Sequence, residues 1–233
     1  MRGFTDIHSH FIYGLDDGAR SRSDMERMID AANENGILDL FATPHVVPGV
    51  KPFDYDLYLK HLNAARAYCQ QMQYPIEIYA GAEIMYTPAI SRYASEGELP
   101  TMGGSDKILL EFVPGIKLSE MEEAIEMMER SGYVTIMAHI ERYDCLMHGN
   151  TARKFKADHD VRYQVNCSTI VSGSGFFRDR HIDSLLKDEK IDFIASDAHD
   201  CKNRPFMMKS AYDTLRKKYN SKYVDKVVGM VVI

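Results

Sequence analysis

The chain has 233 residues, 45% hydrophobic and 27% charged, with a formal net charge of −6. That is enough apolar material for a substantial core, and we expect one domain over residues 1–233. The acidic balance leaves no electrostatic footprint for nucleic acid or an anionic membrane, and no apolar stretch approaches the roughly 20 residues needed to cross a bilayer.

The opening segment Met1-Arg2-Gly3-Phe4-Thr5-Asp6 lacks the apolar h-region of a signal peptide, so a cytoplasmic location is expected. Cys69, Cys145, Cys167 and Cys201 show no C-x-x-C spacing and are expected to be reduced and structural. None has an arginine six positions later, which excludes the cysteine-based phosphatase loop.

In chain order, residues 4–10 read as a buried strand that delivers His8 and His10. Residues two apart in a strand share a face, so the two imidazoles can hold one metal ion. Ser23-x-x-Glu26 reads as a capping box for a helix with Met25, Met28, Ile29 and Ala32 on its apolar side, stopped at Asn35-Gly36. A strand over 37–42 ends in Thr43-Pro44-His45; a helix over 54–68 follows, then a strand over 76–80 leading to Glu83. Residues 107–112 form a strand carrying Glu111, and Ser119-x-x-Glu122 opens a second capped helix that Gly132 stops. Strands over 133–138, 162–166 and 192–195 deliver His139, Asn166, and Asp197 with His199; helices cover 181–190 and 205–219. Seven strands alternating with helices predict a parallel α/β fold. Functional residues at so many strand ends predict a barrel rather than an open sheet, because a barrel gathers residues around its whole rim.

The strand-end set is His8, His10, His45, Glu83, Glu111, His139, Asp197 and His199, joined by one of Asp16 or Asp17. Imidazoles and carboxylates without thiolates favour manganese, iron or zinc. The donors outnumber what one ion accepts, so a cluster of two or three ions is expected, with Glu83 able to bridge them. Ions of this kind act as Lewis acids toward a phosphoryl group and make water nucleophilic near neutral pH. Arg142 and Arg204 stand close by in sequence, and a planar guanidinium suits bidentate phosphate binding. A phosphate ester is therefore the expected substrate. Asp197 and His199 are the nearest candidates for a general acid. Asp6 reads as structural or as a residue that orients a histidine. His61, His148, His159 and His181 read as surface or packing residues. Tyr13, Tyr86 and Tyr143 are candidates for a cleft that stacks on a substrate ring.

Asp6-Ile7-His8-Ser9-His10 followed by Leu15-Asp16-Asp17-Gly18 resembles the opening of the polymerase and histidinol phosphatase (PHP) family. Within it, the chain is most similar to the bacterial capsule-associated protein tyrosine phosphatases. The later motifs Thr43-Pro44-His45, Gly81-Ala82-Glu83, Leu110-Glu111-Phe112, Ala138-His139-Ile140-Glu141-Arg142-Tyr143 and Ser196-Asp197-Ala198-His199 match in order, over residues 4 to about 205. The resemblance implies a distorted seven-stranded (β/α)7 TIM-like barrel with a trinuclear, usually manganese, centre. It implies hydrolysis of phosphotyrosine on a partner tyrosine autokinase that controls capsule or exopolysaccharide synthesis. By motif position Asp17 is the aspartate that ligates, and Arg142 and Arg204 grip the phosphate. Two positions depart from the pattern. Ile140 stands where the group commonly has proline, and the ending Val228-Gly229-Met230-Val231-Val232-Ile233 lacks an Asn-Pro, so an altered or truncated last element is expected. The alternatives are a small-molecule phosphatase such as histidinol phosphatase, a nuclease, which the acidic charge disfavours, and a non-catalytic binding partner of the kinase.

Overall fold

The computed structural model describes residues 3–229. Strand β1 (Phe4–Asp6) leads into helix α1 (Arg22–Glu34), and β2 (Ile37–Ala42) and β3 (His45–Val46) precede α2 (Tyr55–Met72). Next come β4 (Glu77–Ala80), β5 (Glu83–Met85), α3 (Ile90–Glu96), β6 (Lys107–Glu111), α4 (Leu118–Arg130) and β7 (Val134–Met137). The chain continues through α5 (Thr151–Asp158), β8 (Val161–Asn166), α6 (Cys167–Ser172), α7 (Phe176–Lys187), β9 (Phe193–Ala195), α8 (Met208–Arg216) and α9 (Ser221–Val227).

All strand pairings are parallel, as alternation with helices requires. They form two sheets, β1-β2-β4 and β3-β5-β6-β7-β8-β9, rather than one continuous ladder. The cause lies at two strand breaks, at Thr43-Pro44 and Gly81-Ala82. Pro44 has no N–H to give to a ladder, and Tyr58 from α2 fills the gap: its hydroxyl bonds the carbonyls of Ala42 and Gly81 at 3.1 Å each and accepts from Gly81 N at 3.0 Å. Beyond the breaks the pairing resumes with His45 opposite Glu83. The seven expected strand positions are therefore present, two of them broken into pairs. The last and first meet only at the isolated bridge between Ser9 and Ala198, so the ring is distorted and not closed as a ladder. Backbone bonds from His10 N to Ala198 O and from Asp197 N to His8 O, each 2.8 Å, tie the segments after β1 and β9 together there.

Helix α1 buries Met25, Met28, Ile29 and Ala32 as its spacing predicts, but its capping box is Ser21 with Asp24, two residues earlier than Ser23 with Glu26. Helix α4 starts at Leu118 with no side-chain cap, so Ser119 lies inside it. Helix α7 starts at Phe176 rather than 181, and the expected last helix splits, with Asn220 capping α9 by accepting from Lys222 N at 2.9 Å. Helix α9 stops at Val227, just before the ending that departs from the resemblance, and 230–233 of that ending lie outside the described residues. Among the described residues no helix is long and apolar enough to cross a membrane.

Candidate metal centre

His8 and His10 leave the end of β1 on one side of the chain, with their Nε2 atoms 3.2 Å apart. Glu83 at the start of β5 places Oε2 3.2 Å from each of those nitrogens. Asp197, just beyond β9, places Oδ1 at 3.5 and 3.6 Å from them. These four residues form one metal-competent group, and all four are buried.

The other oxygen of Glu83 meets His139 Nε2 at 2.9 Å, and Glu111 Oε1 lies 3.3 Å from that nitrogen. His45 Nδ1 is 3.0 Å from Glu83 Oε2 and 3.7 Å from Glu111 Oε2. A third group opens to solvent: Asp17 Oδ1 lies 3.5 Å from His45 Nε2 and 3.4 Å from His199 Nε2, beside His10. All nine expected ligands thus converge, with Glu83 central to the buried groups.

Asp16 and Asp17 divide their tasks. Asp16 Oδ2 accepts from His10 Nδ1 at 2.8 Å, which aims that ring, and from the backbone N of His45 at 3.0 Å, which fixes the main chain there. Asp17, with 65% of its side chain exposed, faces the third group instead. Arg142 and Arg204 each donate from Nη2 to Asp197 Oδ2 at 2.7 Å and stand at the edge of the cluster, their side chains 38% exposed. Arg204 belongs to the turn in which His199 N donates to its carbonyl at 2.9 Å, and its side chain reaches Asp197.

The charges are strongly coupled. Burial would raise the pKa of Glu83, but the imidazoles of His8, His10 and His139 hold it well below the usual carboxylate range. Asp197 is likewise held low against burial by His8 and His10. Burial opposes charge on His10, yet Asp16 and Glu83 push its pKa up to about 10. The same balance with Glu111 and Glu83 takes His139 up to about 9. Burial and the neighbouring His10 lower His199 to about 4.

The donor set fits metal ions. Glu111 Oε2 and His199 Nε2 are buried without a hydrogen-bond partner among the described residues, as ligand atoms reserved for an ion would be. Two residues of the cluster, His139 and Asp197, have φ of 31° and 53°, the left-handed region that non-glycine residues rarely adopt. Strain of this kind collects where surrounding structure fixes a functional group.

Sequence reasoning missed Gln164. Its Oε1 accepts from His139 N at 2.7 Å and lies 3.1 Å from His8 Nδ1, but a lone amide inside a strand has no spacing signal. Asn166 marked only a strand end, yet its Nδ2 donates to Asp197 Oδ2 at 2.8 Å. Asp6 accepts from the amides of His8 and Ser196 at 3.3 and 3.0 Å, pinning the ends of β1 and β9 together; burial raises its pKa to about 6. Tyr143 is fully buried with its hydroxyl accepting from Phe112 N, so it packs rather than lining a cleft. His61 stacks on Tyr13 and is likewise a packing residue.

The chain is similar to the tyrosine-protein phosphatase CpsB of Streptococcus pneumoniae, with 27% identity covering 93% of this chain and 91% of that protein. The tyrosine-protein phosphatase YwqE of Bacillus subtilis (strain 168) is 26% identical, covering 93% of this chain and 85% of the relative. A crystal structure from work on YwqE and CpsB, described as unique metal-dependent tyrosine phosphatases, superposes with a TM-score of 0.86. It is 24% identical and covers 96% of this chain and 90% of that one, which shows a shared fold. A lactonase from Listeria monocytogenes shares the fold more distantly, with a TM-score of 0.63, 10% identity and coverage of 97% and 92%. A family model for capsular polysaccharide synthesis, CpsB/CapC, matches residues 4–230, and the chain belongs to that family.

Proposed function

We propose that the chain is a metal-dependent protein-tyrosine phosphatase. Its substrate is phosphotyrosine on a bacterial tyrosine autokinase that controls capsule or exopolysaccharide synthesis. The observation that carries this reading is the placement of Arg142 and Arg204. Both lean on one oxygen of Asp197, 2.7 Å away, at the rim of a cluster of eight metal-competent side chains that His139 joins through Glu83 and Glu111. Each uses one donor there and keeps the rest of its guanidinium fork for an incoming dianion. Distant structural neighbours with the same fold include a lactonase, so the fold alone does not select phosphate. The arginine pair does. The names of the relatives point to the same substrate class.

Within this reading His8, His10, Glu83 and Asp197 would hold one ion, Glu83, Glu111 and His139 a second, and Asp17, His45 and His199 a third. The oxygen- and imidazole-rich set suits manganese, with iron or zinc as competitors. When bound, such ions supply Lewis acidity toward the phosphoryl group and a nucleophile at neutral pH. The protein's own groups do the rest. Arg142 and Arg204 hold the non-bridging oxygens and orient the ester for in-line displacement. Asp197 Oδ2 already accepts from both arginines and from Asn166, which favours a positioning and ligating role over that of a proton donor. His199 offers Nδ1 to the Asp197 carbonyl at 3.0 Å and turns Nε2 toward Asp17, the orientation of a ligand. A phenolate leaving group needs no strong acid. The half-exposed arginines and the exposed Asp17 make a shallow mouth, suited to a side chain presented on a protein surface. Four free cysteines suit the reducing cytoplasm, where we place the enzyme.

The test compares phosphate release from a phosphotyrosyl peptide and from histidinol phosphate, with and without added manganese. Preference for the peptide supports the proposal, and preference for histidinol phosphate replaces it with a small-molecule phosphatase.

A further inference from the structure

We propose that Gln164 and Asn166 are positioning residues for the metal centre. They form a one-way amide relay on β8 that fixes the His8 tautomer and holds the two strained ligands, His139 and Asp197. The inference rests on the reading of the cluster as a metal centre, and is independent of which ester is hydrolysed.

The two residues are two apart on a strand, so both amides point into the barrel. Gln164 is fully buried and Asn166 nearly so. Both ends of the relay are chemically fixed. At one end His139 N, a backbone donor, points at Gln164 at 2.7 Å, so the Gln164 oxygen must face it. The Gln164 Nε2 is then turned to Asn166 Oδ1, 2.8 Å away. This leaves Asn166 Nδ2 to donate to Asp197 Oδ2 at 2.8 Å. A carboxylate at that end accepts only, so neither amide can flip without breaking a buried bond.

Two consequences follow at the ligands. Gln164 Oε1 is an acceptor 3.1 Å from His8 Nδ1, so the ring proton sits on Nδ1 and the Nε2 lone pair faces Glu83, His10 and Asp197. At the other end Asp197 Oδ2 is saturated by Asn166, Arg142 and Arg204, which leaves Oδ1 turned toward the imidazoles. The relay also restrains the two non-glycine residues with positive φ at the centre, His139 through its amide and Asp197 through its carboxylate. Asn166 is itself anchored, because its backbone N–H donates to Glu141 Oε1 at 2.9 Å, an oxygen that also accepts from Thr169 Oγ1. Behind the ligands of two adjacent ions there is thus one shared support. Outer hydrogen bonds of this kind fix ligand orientation and basicity.

The experiment titrates Mn(II) into metal-free parent, Asn166→Ala and Gln164→Met proteins, counting free ion by electron paramagnetic resonance, with thermal melts of each metal-free protein alongside. We expect the tightest-held ion to lose about 10- to 100-fold in affinity in both variants, with the metal-free variants still melting cooperatively. The ion held by Asp17, His45 and His199, which the relay does not touch, keeps its affinity. Variants that bind Mn(II) as tightly as the parent overturn the relay while leaving the metal centre intact. Loss of the fold in both metal-free variants also overturns it, because the amides are then merely structural. A folded parent that holds no ion overturns the metal-centre reading and the relay with it.

Discussion

His8 and His10 meet nitrogen to nitrogen, Nε2 to Nε2 at 3.2 Å, while each ring directs Nδ1 to an acceptor behind it. Those acceptors are Gln164 Oε1 at 3.1 Å and Asp16 Oδ2 at 2.8 Å. With Glu83 Oε2 3.2 Å from both, this is a knot of lone pairs that only protons or a cation can hold together.

Protons and metal should therefore compete. In the metal-free protein His10 and His139 are raised to about 10 and about 9, so both carry a proton at neutral pH. Their contribution to metal-free stability is present below the ordinary imidazole value, near 6.5, and is lost as pH rises through 9 to 10. Metal binding at pH 7 must displace these protons, so affinity rises with pH. Calorimetric titration with Mn(II) in two buffers of different ionisation enthalpy should report proton release. A buffer-independent heat would contradict the coupling.

The two neighbouring aspartates should behave differently. Asp17→Asn removes the one carboxylate of the exposed group, so the ion count falls by one while the stability of the metal-free protein changes by no more than about 0.5 kcal/mol, the range typical of surface changes. Asp16→Ala leaves the His10 ring N–H and the His45 amide without their acceptor and should cost about 1–3 kcal/mol. Metal analysis and chemical denaturation of both variants check the pair; identical behaviour would remove the distinction between them.

Arg142→Ala and Arg204→Ala should each lower turnover by about 10²–10³-fold, the scale of losing a preorganised charge on the transition state. Arg142→Lys should recover little of it, since a point charge lacks the fork. The metal content of each variant should match the parent. Steady-state kinetics at saturating metal decide the matter, and near-normal turnover in either alanine variant counts against the phosphate clamp.

Gly18 sits where a Cβ would lie 2.0 Å from the carbonyl oxygen of His10 and 2.6 Å from its Cβ. Gly18→Ala must therefore push the His10 loop aside. We expect lower metal occupancy and a lower melting temperature; a variant that binds and melts like the parent would show that the loop yields at no cost.

The parts of this design that repeat were legible in the sequence. Apolar runs ending in His45, Glu83, Glu111, His139 and Asp197 marked the strand ends, because a buried strand that terminates in a ligand is an unusual pattern. The breaks at Pro44 and Gly81 were not foreseen as such: they depend on Tyr58 reaching from α2 to two carbonyls, a contact made only in three dimensions. Cap positions at Ser21 and Lys117 were displaced because Ser-x-x-Glu also occurs inside a helix, where Glu26, for one, pairs with Arg22 instead. Short helices such as α3 and α6 are held by packing and carry too few turns for a periodic signal. Gln164 and Asn166 illustrate the same limit at the site: their importance comes from which atoms they face, and a single amide in a strand leaves no mark in the linear chain.

The central claim is that these nine side chains gather several ions to hydrolyse phosphotyrosine. The most direct measurement is the metal content of the purified protein together with phosphate release from a tyrosine-phosphorylated kinase tail before and after chelation. Two or three ions per chain, with activity lost on chelation and restored by Mn(II), is the expected result. A folded, metal-saturated protein that releases no phosphate from the tail would contradict it.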